Sequence, residues 1–511
     1  MIYDHRAPPM TKRPATSVPL IGVDRKSAEP LHRQVYESYR GAVLAGRLRP
    51  GQMVPSTRAL ALELQISRMP VLTAYAQLLA EGYFETRAGI GTVISEGLPV
   101  QRLASRTIQP SAPSADVGPR IVASRCLTPY RPFLPAWISG RGAFNVGAVA
   151  LEHFPHRTWT RLVTRSARNG AGIGSARDVM GSLPLREAIA DYLRTSRAVN
   201  CVADQIMITN GSQNGVELTV RALLDPGSPV WVEEPGYQLA RDVLSMAGCR
   251  IVPVPVDQQG IDVARGIKLS RNARAAFVTP SHQFPLGMTM SVSRRLELLA
   301  WASKQGAWII EDDYDGEFRY ESKQIASLQG LDRDGRVIYI GTFSKVLSPA
   351  LRIGYVVIPR DLLPYFMRVR WATDLGSEEF IQGVVTDFLR EGHFARHLRS
   401  MRILYRERRS VLVEALERSL GSEAQIVGAE AGLHLVLLPK GLNDDVEPCK
   451  AAALEQLWLW PLSQCYYGPA TEHGFVLGFG GTPPERIPKA VKQLKEVLRG
   501  RRQASLRPAR P

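Results

Sequence analysis

The stretch Gly341–Pro349 reads GTFSKVLSP. It sets Lys345 among small and hydroxyl residues, directly after the β-type run Val337–Ile340. Thr342 stands three residues before the lysine and Arg352 seven after it. Upstream lie three further polar groupings: Asn210-Gly211-Ser212-Gln213, Glu234-Pro235-Gly236-Tyr237, and the acidic stretch Glu311 to Tyr320, which contains Asp312, Asp313 and Tyr314. An amine acts as a nucleophile only once it has lost its proton, which a partly desolvated site near other positive charge favours. Backbone N–H groups at the start of a helix can hold an anion, and a hydroxyl and a guanidinium can add charge-assisted bonds to it.

The elements that must carry these residues alternate in type. Helical periodicity is expected over Leu185–Tyr192, Asn214–Leu224, Tyr237–Ala247 and Arg294–Lys304. Strands are expected over Gln205–Thr209, Pro229–Glu233, Ala275–Thr279 and Ala307–Glu311. Such alternation predicts a mostly parallel sheet wrapped by helices. In this order the motifs resemble the pyridoxal-phosphate enzymes of the aspartate-aminotransferase fold, from about Asn145 to Arg499. SLPLREAIADYLR, ITNGSQNGVEL and VPVDQQGIDV contribute to the likeness.

That resemblance implies roles. Lys345 would form a Schiff base with pyridoxal 5'-phosphate. Ser212 and Gln213 would cradle the phosphate with their N–H groups, joined by the Thr342 hydroxyl and the Arg352 guanidinium. Asp312 would keep the pyridine nitrogen protonated, Tyr314 would donate to the ring hydroxyl oxygen, and Tyr237 would stack on the ring. Asp313 is expected to be a surface acid or a helix cap.

Two positions depart from the pattern. In the loop Thr279–Gly287 (TPSHQFPLG), Phe284 stands where an asparagine usually contacts the ring hydroxyl, leaving Gln283 or His282 as substitutes. In the strand GFVLGFG, Val476 stands where an arginine usually grips a carboxylate. A carboxylate clamp then comes from elsewhere, or the ligand is not a typical α-amino acid.

The first hundred residues follow a different plan. Leu31, Val35, Tyr39 and Val43 form an apolar stripe between Pro30 and Gly46. Ser56 suits the N-cap of a second helix, and Ser67 that of a third with Val71, Tyr75 and Leu78 inward, ending at Gly82. Tyr83–Arg87 and Thr92–Ser95 are strand-like, joined by the glycine-rich Ala88-Gly89-Ile90-Gly91. GRLRPGQMVPSTRALA, the Ser67-Arg68 opening and EGYFETRAGIGT resemble the GntR-type winged helix-turn-helix domain. By that resemblance Arg58, Ser67 and Arg68 face double-stranded DNA, with Gly89 at the wing tip. Met69-Pro70 and Leu72 sit where many relatives carry polar residues, so base readout there is weak or apolar.

Bulk composition agrees. The 511 residues carry a net charge of +16, which suits an anionic partner such as nucleic acid. No secretory leader or membrane-spanning run is evident, so a cytoplasmic location is expected. The five cysteines form no CxxC, so neither zinc nor a disulfide framework is expected.

The expected divisions are a flexible tail at 1–24, the winged helix at 25–97, a linker at 98–142, the aminotransferase-like domain with a small C-terminal α/β subdomain at 143–500, and a basic tail at 501–511. The linker holds seven prolines and six arginines against one acid. Joined in this way, the two domains resemble the MocR-type regulators. That likeness implies a head-to-tail homodimer that binds DNA and senses pyridoxal phosphate or an amino compound. Two alternatives stay open: a genuine aminotransferase with an appended DNA-binding domain, and a regulator whose large domain is a cofactor-free scaffold.

Overall fold

The computed structural model describes residues 22–96, 142–169, 178–320 and 326–505. The expected tail up to residue 21, the linker up to residue 141 and residues 506–511 lie outside the described residues. The chain divides into two compact units.

In the first unit, α1 (Leu31–Leu44), α2 (Thr57–Glu63) and α3 (Arg68–Ala80) precede the hairpin β1 (Phe84–Arg87) and β2 (Gly91–Ile94). The apolar stripe of α1 does what its period predicts: Val35, Tyr39 and Val43 are fully buried. Tyr39, Tyr75 and Phe84 meet edge to face with centroids 5.1–5.6 Å apart, tying α1, α3 and β1 into one core. Ser56 caps α2 by accepting from Ala59 N. Ser67 occupies the N-cap of α3 with extended backbone, as expected, though its hydroxyl makes no capping bond.

The second unit is built on an eight-stranded sheet ordered β3-β10-β9-β8-β7-β4-β5-β6. The strands are β3 (Ile206–Thr209), β4 (Pro229–Glu234), β5 (Arg250–Asp257), β6 (Gly260–Ile261), β7 (Ala275–Val278), β8 (Trp308–Asp313), β9 (Val337–Thr342) and β10 (Gly354–Val357). The run from β5 through β4, β7 and β8 to β9 is parallel, whereas β10 pairs antiparallel with both β9 and β3. The two-residue β6 pairs antiparallel with β5 at one edge of the sheet.

Strands β3, β7 and β9 are buried along their whole length, as a sheet covered on both faces requires. A second, antiparallel sheet, β11-β12-β14-β13, forms the C-terminal part from β11 (Ala424–Val427), β12 (His434–Pro439), β13 (Trp460–Pro461) and β14 (Phe475–Gly478). The last helix runs Ile487–Ser505, so the expected basic tail from 501 begins within a helix. The four described cysteines, Cys201, Cys249, Cys449 and Cys465, are buried free thiols. No helix among the described residues is long and apolar enough to cross a membrane.

Candidate cofactor cavity and DNA-binding face

In an open α/β sheet, ligands gather beyond the carboxyl ends of the parallel strands. A cavity of about 470 Å³ lies there. All eight residues expected at a cofactor site line it: Ser212, Gln213, Tyr237, Asp312, Tyr314, Thr342, Lys345 and Arg352. They come from four separate stretches of chain, most at the end of a strand or the start of the following helix, with Arg352 just before β10.

Lys345 follows β9, and its Nζ donates to the Gly147 carbonyl at 3.3 Å. Gly147 has φ +87°, and a Cβ there would fall 2.6 Å from Nζ, so a side chain at 147 would displace the ammonium. Burial lowers the lysine's pKa, against the pull of Asp315 and Asp312, which favours the reactive neutral amine.

Asp312 lies near the end of β8. Its carboxyl is pushed up to about 7, first by burial and then by Asp313 and Asp315, and its Oδ1 has no hydrogen-bond partner. A buried carboxylate oxygen left without a donor is costly, and a protonated ring nitrogen in the cavity would satisfy it.

Strand alternation sends Asp313 the other way. The expected surface acid is buried beside the Arg197 guanidinium, accepting from its Nε at 2.8 Å and from the Tyr339 hydroxyl at 2.5 Å. Burial raises the Asp313 pKa, but the Arg197 charge and the bonds to Tyr339 and Arg197 outweigh it and hold the carboxyl below its ordinary value.

At the other end of the cavity, Gly211 (φ +85°) is the N-cap of the Ser212–Leu223 helix and Ser212 its first residue, so Ser212 is not the cap itself. No side chain caps this helix, which leaves its first N–H groups free for an anion. Arg352 closes the same corner. Its Nη2 donates to Asn210 O at 2.8 Å, and a Cβ on Gly211 would lie 3.1 Å from the guanidinium. Arg352 itself is left-handed (φ +51°), a conformation that a non-glycine residue holds only where its surroundings impose it. Thr342 Oγ1 and Ser344 Oγ are 3.0 Å apart on the facing wall. Positively charged, donor-rich and glycine-lined, this corner suits a phosphate.

The Tyr314 hydroxyl donates to the His282 carbonyl at 3.0 Å. Phe284 does not stand alone: its ring meets those of Tyr237, Tyr314, His434 and Trp460 with centroids 5.4–6.3 Å apart. Gln283 does not replace the missing asparagine. It is buried away from the cavity, donating to Pro235 O at 2.9 Å and to Phe284 O at 2.6 Å, and accepting from Leu286 N at 3.0 Å. His282 likewise sits behind the wall, with Nδ1 3.1 Å from Asp315 Oδ2 and from the Tyr314 hydroxyl.

Sequence reasoning gave no role to Ser344, Asp315, His434 or Trp460, all of which line the cavity. Asp315 and Ser344 sit three residues from Asp312 and two from Thr342, so local spacing could have suggested them. His434 and Trp460 arrive from the second sheet. His434 Nε2 donates to Pro285 O at 3.0 Å; burial and the neighbouring His282 hold its pKa well below the ordinary value, so its Nδ1 is a bare acceptor.

In the first unit, Arg58, Ser67 and Arg68 are exposed, and both arginines line one shallow cleft with Leu62 and Gln65. Arg68 Nε donates to Thr57 Oγ1 at 3.2 Å, which steadies it at the start of α3. Gly89 is exposed at the hairpin turn with φ +76°. Met69 and Leu72 are solvent-facing on α3, as an apolar reading surface would require.

The fold and the cavity together define an aminotransferase class I and II domain preceded by a winged helix-turn-helix. Residues 146–474 match the family Aminotransferase class I and II, and residues 31–94 match Bacterial regulatory proteins, gntR family. The chain is 38% identical over 483 residues to the "Probable rhizopine catabolism regulatory protein MocR" of Rhizobium meliloti, covering 94% of this chain and 96% of that protein. It is 31% identical to the HTH-type pyridoxine biosynthesis transcriptional regulator PdxR of Corynebacterium glutamicum, over 91% of this chain and 95% of the relative.

Among solved structures, Pyrococcus horikoshii kynurenine aminotransferase in complex with PMP superposes with a TM-score of 0.66 at 27% identity, covering 71% of this chain and 92% of that one. The α-aminoadipate aminotransferase LysN of Thermus thermophilus, complexed with N-(5'-phosphopyridoxyl)-L-leucine, gives 0.65 at 28%, covering 71% and 93%. The chain belongs to the MocR-type regulators of the GntR family, DNA-binding transcriptional regulators with an aminotransferase-like domain.

Proposed function

We propose that the large unit holds pyridoxal 5'-phosphate through Lys345, and that the cofactor, or an amine reacting with it, sets how the winged helices engage operator DNA. The observation that carries this reading is the convergence of eight residues from four separate stretches of chain on one cavity, together with the partnerless Oδ1 of Asp312 and the uncapped start of the Ser212 helix. When bound, the cofactor supplies an aldehyde carbon that can be passed from one primary amine to another.

The chain's own groups divide the remaining work. Gly147 O holds the Lys345 nitrogen in place, and burial keeps it ready to shed its proton. Arg352, Thr342 and the first N–H groups of the helix take the phosphate. Asp312 takes the ring nitrogen, Tyr314 the ring oxygen, and Tyr237 a ring face. Phe284 supplies no hydrogen bond to that oxygen, and Gln283 is committed elsewhere. This favours a site that holds and senses over one that turns over rapidly.

The protein would act in the cytoplasm as a head-to-tail homodimer on paired half-sites. A ligand would shift the balance between domain arrangements only by binding one of them better than another. The direct test is the visible spectrum of the protein supplied with pyridoxal phosphate, against that of Lys345→Ala. A band lost in the variant supports the assignment, and an unchanged band refutes it. Sustained keto-acid release from an amino donor would favour the aminotransferase reading instead.

A further inference from the structure

The cavity lining carries four charged groups, Lys345, Arg352, Asp312 and Asp315, among neutral ones. Among the described residues, its only cationic lining groups are Lys345 and Arg352. Arg352 is held at the Gly211 corner by its bond to Asn210 O, where it serves the phosphate. Lys345 is the covalent anchor. The rest of the lining includes Tyr237, Leu239, Phe284, Leu433, His434 and Trp460.

Val476 occupies the position where a carboxylate-gripping arginine would be expected. It is buried in β14 opposite Val436 and Trp460, packed with Phe284 and Leu286 beneath the cavity wall. The two acids on the lining, Asp312 and Asp315, would repel a second anion. A carboxylate taken into such surroundings loses its hydration and gains no counter-charge, which is strongly unfavourable.

Resting on the cofactor reading above, we infer that the small-molecule effector of this cavity is a primary amine with an uncharged body, carrying no carboxylate or other anionic group. Its nitrogen takes the cofactor carbon as the bond to Lys345 Nζ breaks, and two protons pass from the incoming ammonium nitrogen to the lysine nitrogen, which departs as an ammonium. One amine enters for one released, and nothing else is consumed.

The test is a visible-absorbance titration of the full-length, cofactor-loaded protein with matched pairs: 2-phenylethylamine against L-phenylalanine, and 1-aminobutane against 4-aminobutyrate. Each response is normalised to the same titration of free pyridoxal phosphate. The amine of each pair should half-saturate at a concentration at least ~10-fold lower than its carboxylate partner, the order of preference expected when a buried charge finds no partner. Leu239→Arg, which adds a cation at a half-buried wall position, should narrow or reverse that preference while keeping the cofactor band.

Equal affinities, preference for the carboxylate, or no response to either amine would overturn the inference while leaving Lys345 as the anchor. Absence of any Lys345-dependent band before amine is added would instead overturn the cofactor reading, and this inference with it.

Discussion

Asp312 offers a quantitative test of the cavity's electrostatics. In the cofactor-free protein its pKa is raised from 3.8 to about 7 by burial and by the neighbouring Asp313 and Asp315. The folded state therefore keeps a proton that the unfolded chain has already lost between those two values. Stability must fall as pH rises through that window, because the folded state binds more protons there. At 1.36 kcal/mol per tenfold change in proton affinity, the whole effect is at most roughly 4 kcal/mol, of which roughly 2–3 kcal/mol falls between pH 5 and pH 8.

Asp312→Asn keeps the shape and removes the titration. The assay is thermal and urea unfolding of cofactor-stripped wild type and variant at pH 5 and pH 8. Glu233 and Glu311, also buried and raised to about 7, slope the same way in both proteins and cancel in the difference. The variant should gain roughly 2–3 kcal/mol on the wild type between the two pH values. With pyridoxal phosphate added, the ranking should reverse, since only the ionised carboxylate matches a protonated ring nitrogen. Parallel pH profiles for the two cofactor-free proteins would refute the idea that the buried Asp312 carboxyl, with its partnerless Oδ1, is a stored cost which the cofactor relieves.

Arg352→Gly should relieve the left-handed backbone while removing the guanidinium; cofactor affinity, read by fluorescence titration, should drop ~10–100-fold without loss of stripped-protein stability. Arg68→Ala should weaken operator binding by roughly 1–3 kcal/mol in a mobility-shift assay and leave the cofactor spectrum intact; repeating it across salt concentrations separates phosphate from base contact. Phe284→Asn removes a ring packed against four aromatic groups and should destabilise the cofactor-free protein by about 2–4 kcal/mol in urea unfolding.

Most of the cofactor cavity was legible because its residues sit at strand ends and helix starts, where local sequence already dictates geometry. Thr342, Lys345 and Arg352 lie within eleven residues of one another, and Asp312 and Tyr314 are separated by one residue. The differences from expectation have separate causes. Asp313 looked like a surface acid because its partner, Arg197, is remote in sequence and the two meet only once the sheet is built. Ser67 looked like a capping side chain because residue type specifies the N-cap position more reliably than the rotamer there. His434 and Trp460 reach the cavity from the antiparallel sheet, through register that pairs Trp460 with Val476 and His434 with Gly478.

That division bears on function. The residues that would hold the cofactor come from the large sheet, and they are the ones the family pattern specifies. The neutral wall combines the loop carrying Phe284 with contributions of the second sheet, and there the chain departs from aminotransferase expectation at Phe284 and Val476. If Lys345 anchors the cofactor as proposed, a cavity that keeps the anchor and changes the wall would retain covalent capture of amines while altering which amines fit, so that one amine would be reported and the abundant amino acids ignored.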